Sequence, residues 1–127
     1  MNDDIRQRMF IEMQQKSAFD EARNAAYAYA DQSLELFHLA VATLQPLTVK
    51  YPNVPQYRRE LAAAMMAIGL FQVGVADYSA ARGNLEAAFQ LFRQLAAAFP
   101  NSQDYAWHEE AAAAAIAELD ALPSSDE

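Results

Sequence analysis

The side chains best suited to catalysis or metal binding are few and widely spaced in this chain. The chain has no cysteine, and its two histidines are His38 and His108. A helical metal site would place a second ligand four residues after each histidine, but Ala42 and Ala112 occupy those positions. The run from His108 to Glu110 begins like a zinc-protease motif but lacks the second histidine. We therefore predict no metal site and expect both histidines to be surface or half-buried polar residues.

Two pairs of adjacent carboxylates, Asp3/Asp4 and Glu109/Glu110, are the next candidates for acid–base chemistry. Neighbours in sequence point in different directions on a helix, so neither pair forms a dyad by itself. The chain also has no glycine-rich phosphate loop and no known spacing of a serine nucleophile and a histidine base. The sequence predicts a protein that is not an enzyme and that has no cofactor.

Composition and charge favour a protein partner over other ligands. The 127 residues are 54% hydrophobic with only three glycines, which predicts one packed helical domain over residues 1–122 and a flexible tail over 123–127. A net charge of −8 disfavours nucleic acid and anionic membranes, since both are bound through Lys and Arg. The charged amino terminus and the absence of an uncharged run near twenty residues predict a cytoplasmic protein.

In the first half of the chain, apolar spacing predicts helices with two interruptions. Ser17 and Asp20 form a capping-box pattern that predicts a helix start, although the earlier amphipathic piece is either continuous with this helix or broken from it at Lys16. Pro46 predicts a kink or an end in the next helix, because proline lacks the backbone N–H of a helix interior.

In the second half, proline and asparagine mark the helix starts. Asn53 is the predicted N-cap of a central helix with Pro55 in its first turn, and Asn101 or Ser102 is the predicted N-cap of the last helix, which ends near Leu122. The predicted core face of the central helix consists of six apolar residues: Tyr57, Leu61, Ala64, Ile68, Phe71 and Val75.

The chain repeats itself with a shift of 48 residues. Residues 51–57 recur as residues 99–105, each run having an aromatic residue, Pro-Asn, and a tyrosine at its end. The flanking apolar residues follow in the same register: Phe37, Val41, Leu44 and Leu47 correspond to Leu85, Phe89, Phe92 and Leu95, and Ala63, Ala64, Ala67 and Ile68 to Ala111, Ala112, Ala115 and Ile116. Such a repeat around a turn predicts stacked helical hairpins.

The central hairpin resembles a tetratricopeptide repeat. The resemblance rests on Ile68-Gly69 for close helix approach, Ala76 and Tyr78 in the turn, and Ala81, Leu85 and Ala88 on the second helix. It covers residues 55–100 well, 30–54 and 101–120 as half-repeats, and 1–29 poorly. The sequence departs from the family at Met65, Gln72 and Ala76, where the family has two aromatics and a glycine, and Pro100 comes about two turns late. The long period is similar to that of bacterial multi-repeat proteins.

The resemblance implies an all-α fold of four to five antiparallel helices, either a tetratricopeptide-like array of hairpins or a right-handed helical bundle. An ordinary four- or five-helix bundle containing one such hairpin is the alternative. In this family the inner face of the first helix lines a groove for a partner segment, which points to Ala63, Met66, Leu70 and Val73. Trp107 is a further candidate anchor, because tryptophan is enriched at interface hot spots. The alternatives are that the chain's own ends or a homodimer cover this face, and that Trp107 covers the core.

These observations predict a non-catalytic protein–protein interaction module that binds an apolar or amphipathic segment of a partner. One alternative is a structural subunit that self-associates through the same face. The other is a small acidic chaperone of the kind found in bacterial secretion systems, which this chain resembles in size and charge.

Overall fold

The computed structural model describes residues 3–123, except for the side chains of residue 12 and residues 14–31. The fold is all-α, as predicted, and the described part of the chain contains four helices and no strand: α1 (Asp3–Lys50), α2 (Pro55–Gly74), α3 (Tyr78–Ala98) and α4 (Gln103–Ala121). The chain divides into two compact units, Met1–Ser33 and Leu34–Glu127. The predicted flexible tail lies almost wholly outside the described residues, and the single domain over residues 1–122 stays a prediction.

Helix α1 differs from the sequence prediction in its length. It has no glycine or proline before Pro46, and its backbone is helical from Asp3 to Lys50. The predicted helix start at Ser17 is therefore wrong, and the break at Lys16 does not occur; the Ser17 and Asp20 side chains lie outside the described residues. Pro46 does not end the helix either, because a missing N–H removes one hydrogen bond while the turns on both sides remain intact.

Helix α2 begins where proline fixes the backbone. Pro55 is its first residue, and the residue before it, Val54, is extended with φ −103° and ψ 96°. Proline forces this conformation on its predecessor, so Val54 is the N-cap and the prediction of Asn53 at that position is wrong. For α4 the prediction is confirmed at Ser102, whose hydroxyl accepts a hydrogen bond from the backbone N–H of Tyr105 at 3.3 Å.

The 48-residue repeat is visible in the helix boundaries and in the turns. Residues 55 and 103 begin α2 and α4, and residues 50 and 98 end α1 and α3. In the two matching turns, the Val54 and Ser102 N–H groups donate to the carbonyl oxygens of Tyr51 and Phe99. The aromatic pairs also match, with ring centroids 6.1 Å apart for Tyr51–Tyr57 and 5.8 Å for Phe99–Tyr105.

Helix α3 packs between α2 and α4 and contributes five of the eleven buried apolar residues in the described part of the chain, more than either neighbouring helix. The first core cluster joins α2 to α3 and consists of Ala62, Ala88, Phe92 and Leu95. The second joins α3 to α4 and consists of Ala81, Leu85 and Leu119. Of the predicted core face of α2, Leu61, Ala64 and Ile68 are buried, Tyr57 and Phe71 are half-buried, and Val75, beyond the helix end, is exposed.

Gly69 of α2 packs directly against α3. A Cβ atom at this position would be 2.8 Å from Leu85 Cγ and 3.3 Å from the Ala81 carbonyl oxygen, so there is no room for one. The turn that follows contains Ala76 with φ 63°, in the left-handed region that favours glycine. An alanine in this region pays a conformational cost that a glycine would avoid.

Candidate partner-binding recess

A shallow apolar recess opens between α2 and α4 in the second unit. Its volume is about 110 Å³, and six residues line it: Leu70, Val73, Ala115, Glu118, Leu119 and Leu122. All but Glu118 are apolar, so the recess presents an apolar floor with one carboxylate. Leu70 is 48% exposed although it lies on an otherwise packed helix.

The floor of the recess is fixed by the core beneath it. Val73 packs against the second core cluster, and Leu119 belongs to that cluster and is 7% exposed. Helix α3 lies beneath the recess, because its fully buried Leu85 belongs to the same cluster as Leu119 of α4, against which Val73 of α2 also packs. The recess is therefore lined by residues of α2 and α4, together with Leu122, which lies just beyond the end of α4.

Two ion pairs and an amide pair connect the three helices α2, α3 and α4. Arg59 of α2 donates from Nε and Nη2 to the two carboxylate oxygens of Asp104 at 2.8 and 3.2 Å, which ties α2 to the start of α4. These hydrogen bonds lower the pKa of Asp104 from its ordinary value. They raise the pKa of Arg59. Arg82 of α3 pairs with Asp120.

The third connection is between neutral side chains. Asn84 of α3 donates from Nδ2 to the Gln72 side-chain oxygen of α2 at 2.8 Å, and it also donates to the Ala80 carbonyl. Both side chains are half-buried, so this hydrogen bond helps to fix the register between α2 and α3.

The structure separates the predicted site residues into three groups. Leu70 and Val73 line the recess together. Ala63 and Met66 are half-buried and pack against the core, Met66 touching both clusters. Trp107 is 63% exposed and does not line the recess; its ring meets His108 edge-on with centroids 4.8 Å apart. The predicted face is thus divided between core and recess.

The residues from α4 were missing from the sequence prediction, although the repeat contains the signal for them. A shift of 48 residues takes Leu70 to Glu118 and Ala67 to Ala115. In stacked hairpins, equivalent residues of successive first helices face the same groove. The shift therefore pairs Leu70 with Glu118, and both line the recess.

The two histidines lie outside the recess. His38 is exposed, and His108 is half-buried with its ring stacked on Phe92 at 4.8 Å. His108 Nδ1 lies 2.8 Å from the Asp104 carbonyl oxygen, one turn earlier in α4. Within the described residues, no three His, Asp or Glu side chains gather closely enough to hold a metal ion, and no helix there is long and apolar enough to span a membrane.

Comparison with protein-family models, with curated protein sequences and with solved structures gives no match to this chain.

Proposed function

We propose that this protein is a non-catalytic interaction module of tetratricopeptide-like type, and that the α2–α4 recess binds an apolar or amphipathic helical segment of a partner protein. The observation that carries the proposal is the exposed Leu70 at the rim of an apolar recess between α2 and α4. An exposed leucine over an apolar floor gains hydrophobic stabilisation only when a second apolar surface covers it.

The chemistry of the recess indicates what such a segment carries. Apolar side chains at helical spacing fit the floor of Val73, Leu119 and Leu122. Glu118 favours a Lys or Arg next to that apolar stripe, and the chain's net charge of −8 favours a basic partner during encounter. The partner segment is therefore an amphipathic helix with at least one basic residue beside its apolar face.

A pair of synthetic peptides tests this chemistry directly. Both repeat leucine at three- and four-residue spacing, and they differ only in having lysine or glutamate on the polar face. Fluorescence anisotropy should show tighter binding of the lysine peptide. Leu70→Asp should weaken that binding at least about tenfold, because it places a charge over the apolar floor. Glu118→Lys should reverse the preference between the two peptides.

Val75→Asp is the matched control. Val75 is exposed to a similar degree as Leu70, but it lies beyond the end of α2 and outside the recess. Equal losses of binding in Leu70→Asp and Val75→Asp would refute the recess as the binding site. Since Leu70 is half exposed, we expect Leu70→Asp to keep the circular dichroism spectrum of the unmodified protein.

The two alternative functions give other outcomes. If the recess is a seam between two copies, Leu70→Asp converts a dimer to a monomer, whatever peptide is present. If the protein is a secretion chaperone, one aggregation-prone client stays soluble on co-expression, and Leu70→Asp abolishes that effect. Light scattering of Leu70→Asp beside the unmodified protein separates the first alternative from the proposed function, because only a seam at the recess makes this variant a monomer where the unmodified protein is a dimer.

A further inference from the structure

A second exposed apolar surface lies on the last part of α1 within the second unit. We name residues 34–50 the arm, and its outward residues Leu36, Leu39, Thr43 and Pro46 the arm face. These four follow one another at helical spacing and all are exposed, Leu36 by 67% and Leu39 by 62%. The arm face is separate from the α2–α4 recess, which contains no residue of α1.

The internal repeat shows what covers this side in the equivalent helix. The counterparts of Leu36, Leu39 and Thr43 in α3 are Asn84, Ala87 and Leu91, and all three are half-buried. Asn84 donates a hydrogen bond to Gln72 of α2, and Leu91 packs against the first core cluster. On α3, helix α2 therefore lies over the side that remains exposed on the arm.

The arm and α3 also differ in the types of residue at these equivalent positions. Where α3 has Asn84 and Ala87 at covered positions, the arm has leucine at exposed ones. Phe37 shows the same difference, since its counterpart Leu85 is fully buried against Gly69 while Phe37 is exposed. Large apolar side chains on an uncovered helix face mark a surface that another molecule covers.

The charge of the arm identifies that molecule. Glu35 is the only charged side chain among residues 34–49, whereas the whole chain has a net charge of −8. Two copies of so acidic a chain repel one another, and a nearly uncharged face is where they approach at the lowest electrostatic cost. A basic partner, which suits the recess, would find only Glu35 to pair with on the arm.

We propose that the arm face packs against the arm face of a second copy, with the two arms antiparallel about a two-fold axis. Such an interface is self-complementary, and the antiparallel arrangement aligns the helix dipoles favourably. Because the recess lies elsewhere in the unit, the dimer has two recesses available to partners. This inference does not depend on the proposed function, and either can fail alone.

The solution mass of the full chain tests the proposal. Sedimentation equilibrium should give twice the chain mass of 14.1 kDa at micromolar concentration. Leu39→Glu should raise the dimer dissociation constant on the order of 100-fold, because it puts two like charges into an apolar seam. Val75→Glu, also at an exposed apolar position but outside the arm, is the matched control and should leave the constant unchanged.

A crosslink provides the second measurement. The chain has no cysteine, so single variants form disulfides only between copies. Oxidised Thr43→Cys, near the middle of the arm face, should give a covalent dimer, and Val75→Cys should not. A monomer at all concentrations, or a dimer that resists Leu39→Glu and Thr43→Cys crosslinking, would overturn the proposal. A dimer broken by Leu70→Asp but not by Leu39→Glu would assign the seam to the recess instead.

Discussion

Replacing Gly69 and Gly83 by alanine tests the packing of α2 on α3. Both glycines lie inside helices, where alanine is intrinsically favoured by about 1 kcal/mol. They differ in what a new methyl group meets. At Gly83 no atom lies within 4 Å of the added Cβ, whereas at Gly69 Leu85 Cγ is 2.8 Å and Leu85 Cδ2 is 3.0 Å away.

The contacts at Gly69 cannot be relieved by moving one flexible side-chain end. Leu85 is fully buried, and the Ala81 carbonyl oxygen, a backbone atom, is 3.3 Å from the same Cβ. Overpacking of this kind costs about 1–3 kcal/mol, which exceeds the gain in helix propensity. We expect Gly69→Ala to lower the free energy of unfolding by about 1 kcal/mol and Gly83→Ala to raise it by about 1 kcal/mol.

Urea denaturation followed by circular dichroism measures the difference. A gap of about 2 kcal/mol corresponds to midpoints separated by roughly 1 M urea. In a Leu85→Ala background the two contacts with Leu85 are removed and the Ala81 carbonyl oxygen at 3.3 Å remains, so Gly69→Ala should destabilise less than it does in the unmodified protein, and a double-mutant cycle isolates that coupling. The reasoning is refuted if Gly69→Ala raises the midpoint as much as Gly83→Ala does.

Two further predictions concern the turn and the ion pair. Ala76→Gly should stabilise the protein by about 0.5–1 kcal/mol, because it removes the cost of φ 63°, and a thermal melt that shows destabilisation would contradict this. Asp104→Asn should cost less than about 1 kcal/mol at pH 7, since the pair with Arg59 is partly exposed. Because Arg59 lowers the folded-state pKa of Asp104, this stabilisation is present above the ordinary pKa near 4 and is lost as pH falls through the lower folded value. The Asn variant and the unmodified protein should therefore converge in stability once the pH is below that folded value.

The sequence predicts the second unit better than it predicts α1. Local signals decide where α2 and α4 begin, because Pro55 and Ser102 each have one favourable place in a helix. The capping pattern at Ser17 fails because a cap forms only where the helix ends, and no glycine or proline interrupts α1 there. The local preference for a helix start at Ser17 competes with the helical preference of the residues on both sides, and the continuous helix forms.

The recess is only half predictable from local pattern. Helical spacing identifies Leu70 and Val73, but it cannot distinguish them from Ala63 and Met66 on the same face, since burial depends on where α3 and α4 lie. The lining residues of α4 can be predicted only by assuming that residues 48 positions apart in the repeat face the same groove. Trp107 is exposed beside His108 and lies outside the recess, so its role as an anchor stays a prediction.

The two matching turns make residues 51–98 an interchangeable module. Residues 51 and 99 follow helices that end in the same way, and their aromatic rings meet the next helix in the same geometry. A gene in which this segment is duplicated in tandem therefore joins each copy through a turn that the protein already uses. We expect the product to gain one helical hairpin for every added module, so that the length of the protein can be set by the number of copies.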